Sequence, residues 1–243
     1  VDPNEMKVLS VLKDASATAV FGVRGANGVI LITTKRGNLG KPKITFDGQY
    51  STSMPSKIPH TLSSYDVHSL INNVVINEVG LREDAWKFYK PQEVLNYYET
   101  QEYPKILPDI DWTELMLKDA SSSYKFNTNI AGGTEFVKYF GSLGYLHEGG
   151  ILNAADVGQD FLPNFSHDRF NFRSNLDFQF TPTTLISMNL AGNYSFTNDP
   201  GYNDNNQKIM KGIYSMPPDL YPIQYSDGTY ANNKSFLYEN PYV

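Results

Sequence analysis

The run from Val8 to Gly37, VLSVLKDASATAVFGVRGANGVILITTKRG, decides how the chain reads. Val8, Leu9, Val11 and Leu12 form a short apolar run that stops at Lys13 and Asp14, and Val29 to Thr34 is a second run rich in β-branched residues. Both read as strands, because branched side chains pack well on a pleated surface. Ala15 to Val20 is small, helix-compatible and too short for more than a turn or two. Gly22, Gly25 and Gly28 let the backbone bend tightly before the second strand. The unit is therefore a compact β-turn-β element. A phosphate-cradling loop fits poorly, since Gly22-x-x-Gly25-x-x-Gly28 matches neither the Walker nor the dinucleotide spacing and no long helix follows it.

Outward from this element the chain turns to long amphipathic strands. Lys35 to Pro42 reads as a linker. Lys43 to Thr52 then alternates, with Ile44, Phe46, Gly48 and Tyr50 on one face and Lys43, Thr45, Asp47, Gln49 and Ser51 on the other. Tyr124, Phe126, Thr128 and Ile130 oppose Lys125, Asn127 and Asn129. The turn signal Gly132 to Glu135 follows, and after it Val137, Tyr139, Gly141, Leu143 and Tyr145 oppose Lys138, Ser142 and Gly144, which makes a hairpin. Asp168 to Thr181 is the cleanest strand, with Phe170, Phe172, Leu176, Phe178 and Phe180 on one side and Asn171, Arg173, Asn175, Asp177 and Gln179 on the other. After the turn at Pro182, Leu185 to Phe196 alternates again. About 13 residues of unbroken alternation exceeds the usual strand of about 5 to 6 and suits a tilted membrane-barrel strand.

Between these strands lie long polar segments. Pro55 to Ser121 carries helical signals: Ser63 and Asp66 form a capping box, Tyr65, Val67, Leu70, Ile71 and Val74 have helical spacing, and Pro91 opens a second helix with Val94, Leu95 and Tyr98. Gly149 to Ser166 and Asn198 to Val243 are further long loops, the latter with a helix expected near Ile209 to Tyr214.

Composition limits the function classes. The net charge of -6 and the lack of a basic stripe argue against nucleic-acid binding. With no cysteine there is neither a disulfide framework nor a thiolate metal site. No apolar run reaches the roughly 18 to 20 residues of a spanning helix, although a spanning β-strand needs only about 10. His60 and His68 lack a ligand set and read as surface or capping residues. Asp199, Asn203, Asp204 and Asn205 lack the EF-hand order of calcium ligands. Ser166, His167 and Asp168 are sequence neighbours, the wrong arrangement for a triad assembled in space. No paired carboxylates are set for glycoside hydrolysis. We expect no enzyme activity and no cofactor.

Lys13-Asp14-Ala15, Phe21-Gly22, Arg24-Gly25-Ala26-Asn27-Gly28 and Ile32-Thr33-Thr34-Lys35-Arg36-Gly37 resemble, in order and spacing, the end of the plug domain of SusC/RagA-type TonB-dependent outer-membrane transporters. Asp109-x-Asp111-Trp112 resembles that family's approach to the second barrel strand, and IAGGTEFVKYFGSLGYLHEGGI, from Ile130, resembles its Gly-Gly-Thr hairpin. The resemblance implies a mainly β chain: a partial transmembrane antiparallel β-barrel, the end of an α+β plug, and long, partly helical extracellular loops. Residues 1–38 would be the plug end and 39–243 the beginning of the barrel.

The implied function is import of oligosaccharides or peptides across the outer membrane. The implied partners are a SusD-like surface lipoprotein, the TonB-ExbB-ExbD complex and outer-membrane lipid. About five strands against the roughly 22 of a plugged transporter make the chain, on this reading, part of a larger one. We assign Lys13, Asp14 and Arg24 to contacts between plug and lumen wall, the wall presenting Lys43, Asp47, Arg173 and Asp177. The alternative of a different class is a soluble β-sandwich adhesin or lectin, in which a second sheet would cover the apolar strand faces.

Overall fold

The computed structural model describes residues 2–13, 21–22, 28–79, 83–153, 164–199 and 206–231. Two compact units emerge: residues 1–52, 122–149 and 166–197 form one, and residues 53–121, 150–165 and 198–243 the other.

The first unit holds two sheets. Strands β1 (Met6–Leu12) and β2 (Val29–Thr34) pair antiparallel, Leu12 opposite Val29 and Leu9 opposite Ile32, as the apolar runs predict. Gly28 sits at φ +95°, where a side chain would strain the backbone, and a Cβ there would press on the Leu12 carbonyl. The other sheet is an open antiparallel meander of five strands in chain order: β3 (Gly40–Ser53), β4 (Ser121–Gly133), β5 (Val137–Gly149), β6 (Ser166–Thr181) and β7 (Thr184–Asn198). Strand β3 starts earlier than its alternation suggests, so residues 40–42 are strand and not linker. Pro42 is the third residue of β3, close to the strand's start.

Register sorts side chains into two opposite faces. Asn127, Gly144 and Asn171 form one row and Asn129, Ser142 and Arg173 the next, whereas Phe126, Tyr145 and Phe170 form a row on the other side. The polarity is inverted relative to a water-soluble sheet. Asn127, Asn129, Ser142 and Asn175 are buried, while Ile44, Phe46, Leu143, Phe170, Phe172, Leu190 and Tyr194 are exposed. Tight turns join β4 to β5, with the Thr134 N–H on the Val137 carbonyl at 2.7 Å, and β6 to β7. Long segments leave the opposite end.

The regular structure described in the second unit is chiefly helical. Helix α1 (Ser64–Val74) begins at Ser63, whose hydroxyl accepts from the Asp66 N–H at 3.1 Å, as the capping box predicts. Its buried face differs from the expected apolar one. Ser64, His68 and Asn72 point inward, and Leu70 and Val74 are exposed. Hydrogen bonds explain the reversal. The Ser64 N–H reaches Asp109 at 2.7 Å and its hydroxyl donates to the Pro108 carbonyl, while Asn72 clasps both backbone groups of Lys90 at 2.7 and 2.8 Å. His68 is likewise buried and not a surface residue: its Nε2 lies 2.8 Å from Asp219 and its ring rests on Tyr98. His60 is exposed.

Pro91 stands just before α2 (Gln92–Thr100), which buries Leu95 and Tyr98. Asp111 caps the short α3 (Trp112–Met116) by accepting from the Thr113 and Glu114 amides. Burial works to raise the Asp111 pKa, but these hydrogen bonds and the Thr113 hydroxyl hold its carboxyl below the usual range. The core of the unit gathers Trp112, Met116, Leu117, Leu152, Ile213, Met216, Tyr221 and Ala231. Helix α4 (Asn206–Ser215), starting earlier than the helix expected near Ile209 to Tyr214, supplies Ile213. The candidate calcium ligands Asn203, Asp204 and Asn205 lie outside the described residues.

Candidate functional site: the hairpin contact with the sheet wall

The polar face of the five-stranded sheet receives both ends of the β1–β2 hairpin. Ahead of β1 the chain makes a 3₁₀ turn, Pro3–Glu5, capped by Asp2, whose carboxylate accepts the Asn4 N–H at 2.9 Å. Proline at the first position of the turn pre-sets its φ and lacks an N–H that would go unpaired there. This turn aims two acids at the sheet. Glu5 is only 2% exposed; Arg173 on β6 donates to it through Nε at 2.8 Å and Asn171 through its amide at 3.2 Å. Asp2, 7% exposed, pairs with Lys125 of β4 at 2.9 Å. Burial acts to raise the Asp2 pKa. The Lys125 hydrogen bond, the Asn4 amide and the nearby charges of Lys125 and Arg169 outweigh it and leave the carboxyl below its ordinary value.

The exit of the hairpin is held as firmly. The Lys35 N–H donates to the Glu5 carbonyl at 2.8 Å, tying exit to entry. Asn175 donates to the Lys35 carbonyl at 2.7 Å and to the Thr34 hydroxyl at 3.2 Å. Arg36 reaches Asp177 on β6 at 2.6 Å and Asn189 on β7 at 3.0 Å, and the Ser187 hydroxyl donates to the same Asp177 oxygen. At Gly37 a Cβ would stand 2.6 Å from the Gly132 carbonyl oxygen, so only glycine lets the backbone lie this close to the wall. Beside the anchor, Asp2, Glu5, Arg169, Arg173 and Asn193 line a cleft of about 330 Å³.

Of the wall residues expected from sequence, Arg173 and Asp177 make the contacts. Lys43 and Asp47 share the polar parity of β3 and are exposed. Lys13 is exposed at the end of β1, while Asp14 and Arg24 lie outside the described residues. The acids that engage the wall are Asp2 and Glu5, which the sequence reading did not single out. The available signal was the acidic tetrapeptide DPNE next to β1, facing a strand face rich in asparagine. Among the described residues no group of three or more His, Asp or Glu is placed to hold a metal ion.

The arrangement defines a class: an open, barrel-type antiparallel meander with an inverted polarity and a small β element pinned to its polar face. No family model matches the sequence. Over 253 aligned positions the chain is 30% identical to TonB-dependent receptor P3 of Formosa agariphila, covering 99% of this chain and 21% of that protein. It is 27% identical to TonB-dependent receptor SusC of Bacteroides thetaiotaomicron, over 99% of this chain and 21% of the relative. The fold superposes on the structure of the RagAB peptide transporter with a TM-score of 0.66 at 21% identity, covering all of this chain and 28% of that one. The chain thus spans about a fifth of the length of the curated relatives it matches. In sequence the chain is similar to SusC-type TonB-dependent receptors, and in fold to part of the RagAB transporter.

Proposed function

We propose that this chain is the plug end (1–38) and the first barrel strands with their loops (39–243) of an outer-membrane transporter that imports oligosaccharides or peptides. A SusD-like surface lipoprotein would meet the outer loops, and the TonB-ExbB-ExbD complex would supply the energy. The observation that carries this reading is the reversed polarity of the sheet: buried asparagines on the face that holds the hairpin, exposed phenylalanines and leucines on the other. A barrel wall in lipid requires that arrangement, with its lumen polar and its outside apolar. A sandwich lectin would need the opposite, its apolar face packed and its polar face wet.

Short connections of outer-membrane barrels lie on the periplasmic side and long ones outside. Residues 54–120, 150–165 and the segment after β7 are therefore extracellular on this reading. Single cysteines in place of Asn77 and Asn153, both exposed, should react with an impermeant maleimide on intact cells, as should one at Asn205; a cysteine at Thr134 should not. Labelling at Thr134 alone would reverse the topology, and a freely soluble full-length protein would remove the membrane reading.

Lys13, Asp14 and Arg24 belong to the same proposal as further plug contacts with the lumen wall. Replacing Arg24 with alanine should then speed amide exchange in Val29–Thr34. Unchanged exchange would mean that Arg24 is merely solvated, as exposed charges contribute only about 0 to 1 kcal/mol.

A further inference from the structure

Three cations gather around the entry of the β1–β2 hairpin, and among the described residues one of them has no partner. Lys125 pairs with Asp2 at 2.9 Å, and Arg173 donates to Glu5 at 2.8 Å. Arg169 is left over. Its Nε is closed off from solvent and meets no acceptor, and no described carboxylate pairs with its guanidinium. Register sets Arg169 in a row with Leu146 and Lys125 on the polar face, one row outward of Asn127/Gly144/Asn171. The next row out holds Glu148, which is exposed, and His167, whose Nδ1 lies 2.8 Å from the Thr197 hydroxyl. Neither answers the charge of Arg169.

Arginine stays charged at any physiological pH, and a guanidinium N–H shut away from water without an acceptor costs free energy that a bound anion would recover. Arg169 is only half-buried and lines the cleft of about 330 Å³ beside the anchor, with Arg173 and Asn193. That volume falls at the lower end of the roughly 300 to 1,000 Å³ of ligand clefts. It suits one end of a ligand more than the whole of it. The two acids of the cleft are engaged by Lys125 and Arg173, so a positive charge remains in excess. On the β7 side Ala191 and Gly192 add little bulk.

Resting on the membrane reading above, we propose that this cleft is a lumen subsite for a carboxylate carried by the imported molecule, and that Arg169 receives it. The guanidinium fork matches a carboxylate with two parallel N–H···O bonds, which a neutral sugar or a blocked peptide end has no group to accept in the same way. Arg169 stands near the start of β6, at the end from which the long segments leave. A molecule entering from that end reaches it before the tight-turn end.

The test uses the purified full-length transporter and two pairs of compounds: N-acetyl-trialanine with its C-terminal amide, and digalacturonate with its methyl ester. In calorimetric titration at least one acid should bind about ten- to a hundredfold more tightly than its neutral counterpart, the size expected of hydrogen bonds to a charged group. Which pair shows the difference tells peptide from glycan. Arg169→Gln should abolish it, while Lys43→Gln, which removes the same charge from an exposed site on β3, should keep it. Arg169→Lys retains the charge without the fork; it should hold an intermediate preference, and it serves should the glutamine variant fold poorly. Acids and neutral compounds that bind alike, that both fail to bind, or that keep their difference in Arg169→Gln would overturn the subsite. Such results leave the transport reading standing, because the location of the intact protein decides that separately. A soluble protein with the acid preference would instead keep the carboxylate site and remove the import.

Discussion

Replacing Glu5 with alanine should release the hairpin from the wall. The carboxylate is buried and satisfies Arg173 and Asn171 together, so its removal leaves the largely buried Arg173 guanidinium without the carboxylate it bonds. Breaking one side of such a pair costs about 3 to 5 kcal/mol, far more than an exposed pair contributes. Arg173→Ala should match it, and the double replacement should cost clearly less than the sum, because neither charge is then stranded. The readout is amide exchange at Thr34 and Lys35 in the full-length protein, which should rise by orders of magnitude in each single variant. Additive losses, or unchanged exchange, would show that Glu5 and Arg173 are not coupled.

The same anchor should loosen in acid. Asp2 has a lowered pKa in the folded chain, so its contribution is fully present above the ordinary carboxylate value near about 4. It is lost as pH falls through the depressed folded value. Asp2→Asn should flatten that part of the acid dependence. It should leave behaviour at neutral pH weaker but level.

The second large effect is expected at Trp112. This ring is 1% exposed, meets Tyr221 edge-on at 5.8 Å, and donates its indole N–H to the Pro217 carbonyl at 3.2 Å. The neighbouring Ile110 N–H bonds the Pro218 carbonyl at 3.0 Å, so one short stretch ties α3 to the Pro-Pro segment. Trp112→Ala should cost about 3 to 5 kcal/mol from lost burial and the cavity left behind. Trp112→Phe keeps much of the apolar contact and should lose mainly the hydrogen bond, about 0.5 to 1.5 kcal/mol. Limited proteolysis within 54–120 and near-ultraviolet dichroism would separate the two. Alanine and phenylalanine variants of equal resistance would mean that the ring is not the keystone of this unit.

On the reading proposed above, the Trp112 unit would be among the loops that a lipoprotein would meet. Failure of Trp112→Ala to assemble with that partner while the barrel still inserts would connect packing to function. The anchor at Glu5, by contrast, would act inside the lumen. The two predictions thus address different parts of one machine.

Much of this protein was legible in its residues. The β1–β2 hairpin, the long strands, the tight turns near Thr134 and Pro182 and the cap at Ser63 follow from local rules: alternation, β-branched runs, turn chemistry and side chains that bond their own backbone. The two faces of β4 to β6 were also readable, because period 2 sorts side chains without reference to any partner.

Which face is buried was another matter. Alternation is the same in a lectin and in a barrel wall, and only the tertiary structure shows asparagine covered and phenylalanine bare. Long-range pairing was equally hidden. Glu5 and Arg173 are separated by 168 positions, and nothing near either announces the other. In α1 apolar spacing pointed to one face, yet Ser64, His68 and Asn72 turn inward, because distant backbone and acidic partners from Lys90, Pro108, Asp109 and Asp219 meet them there. Local pattern specifies an element; what covers it depends on atoms that only folding brings within a few ångströms.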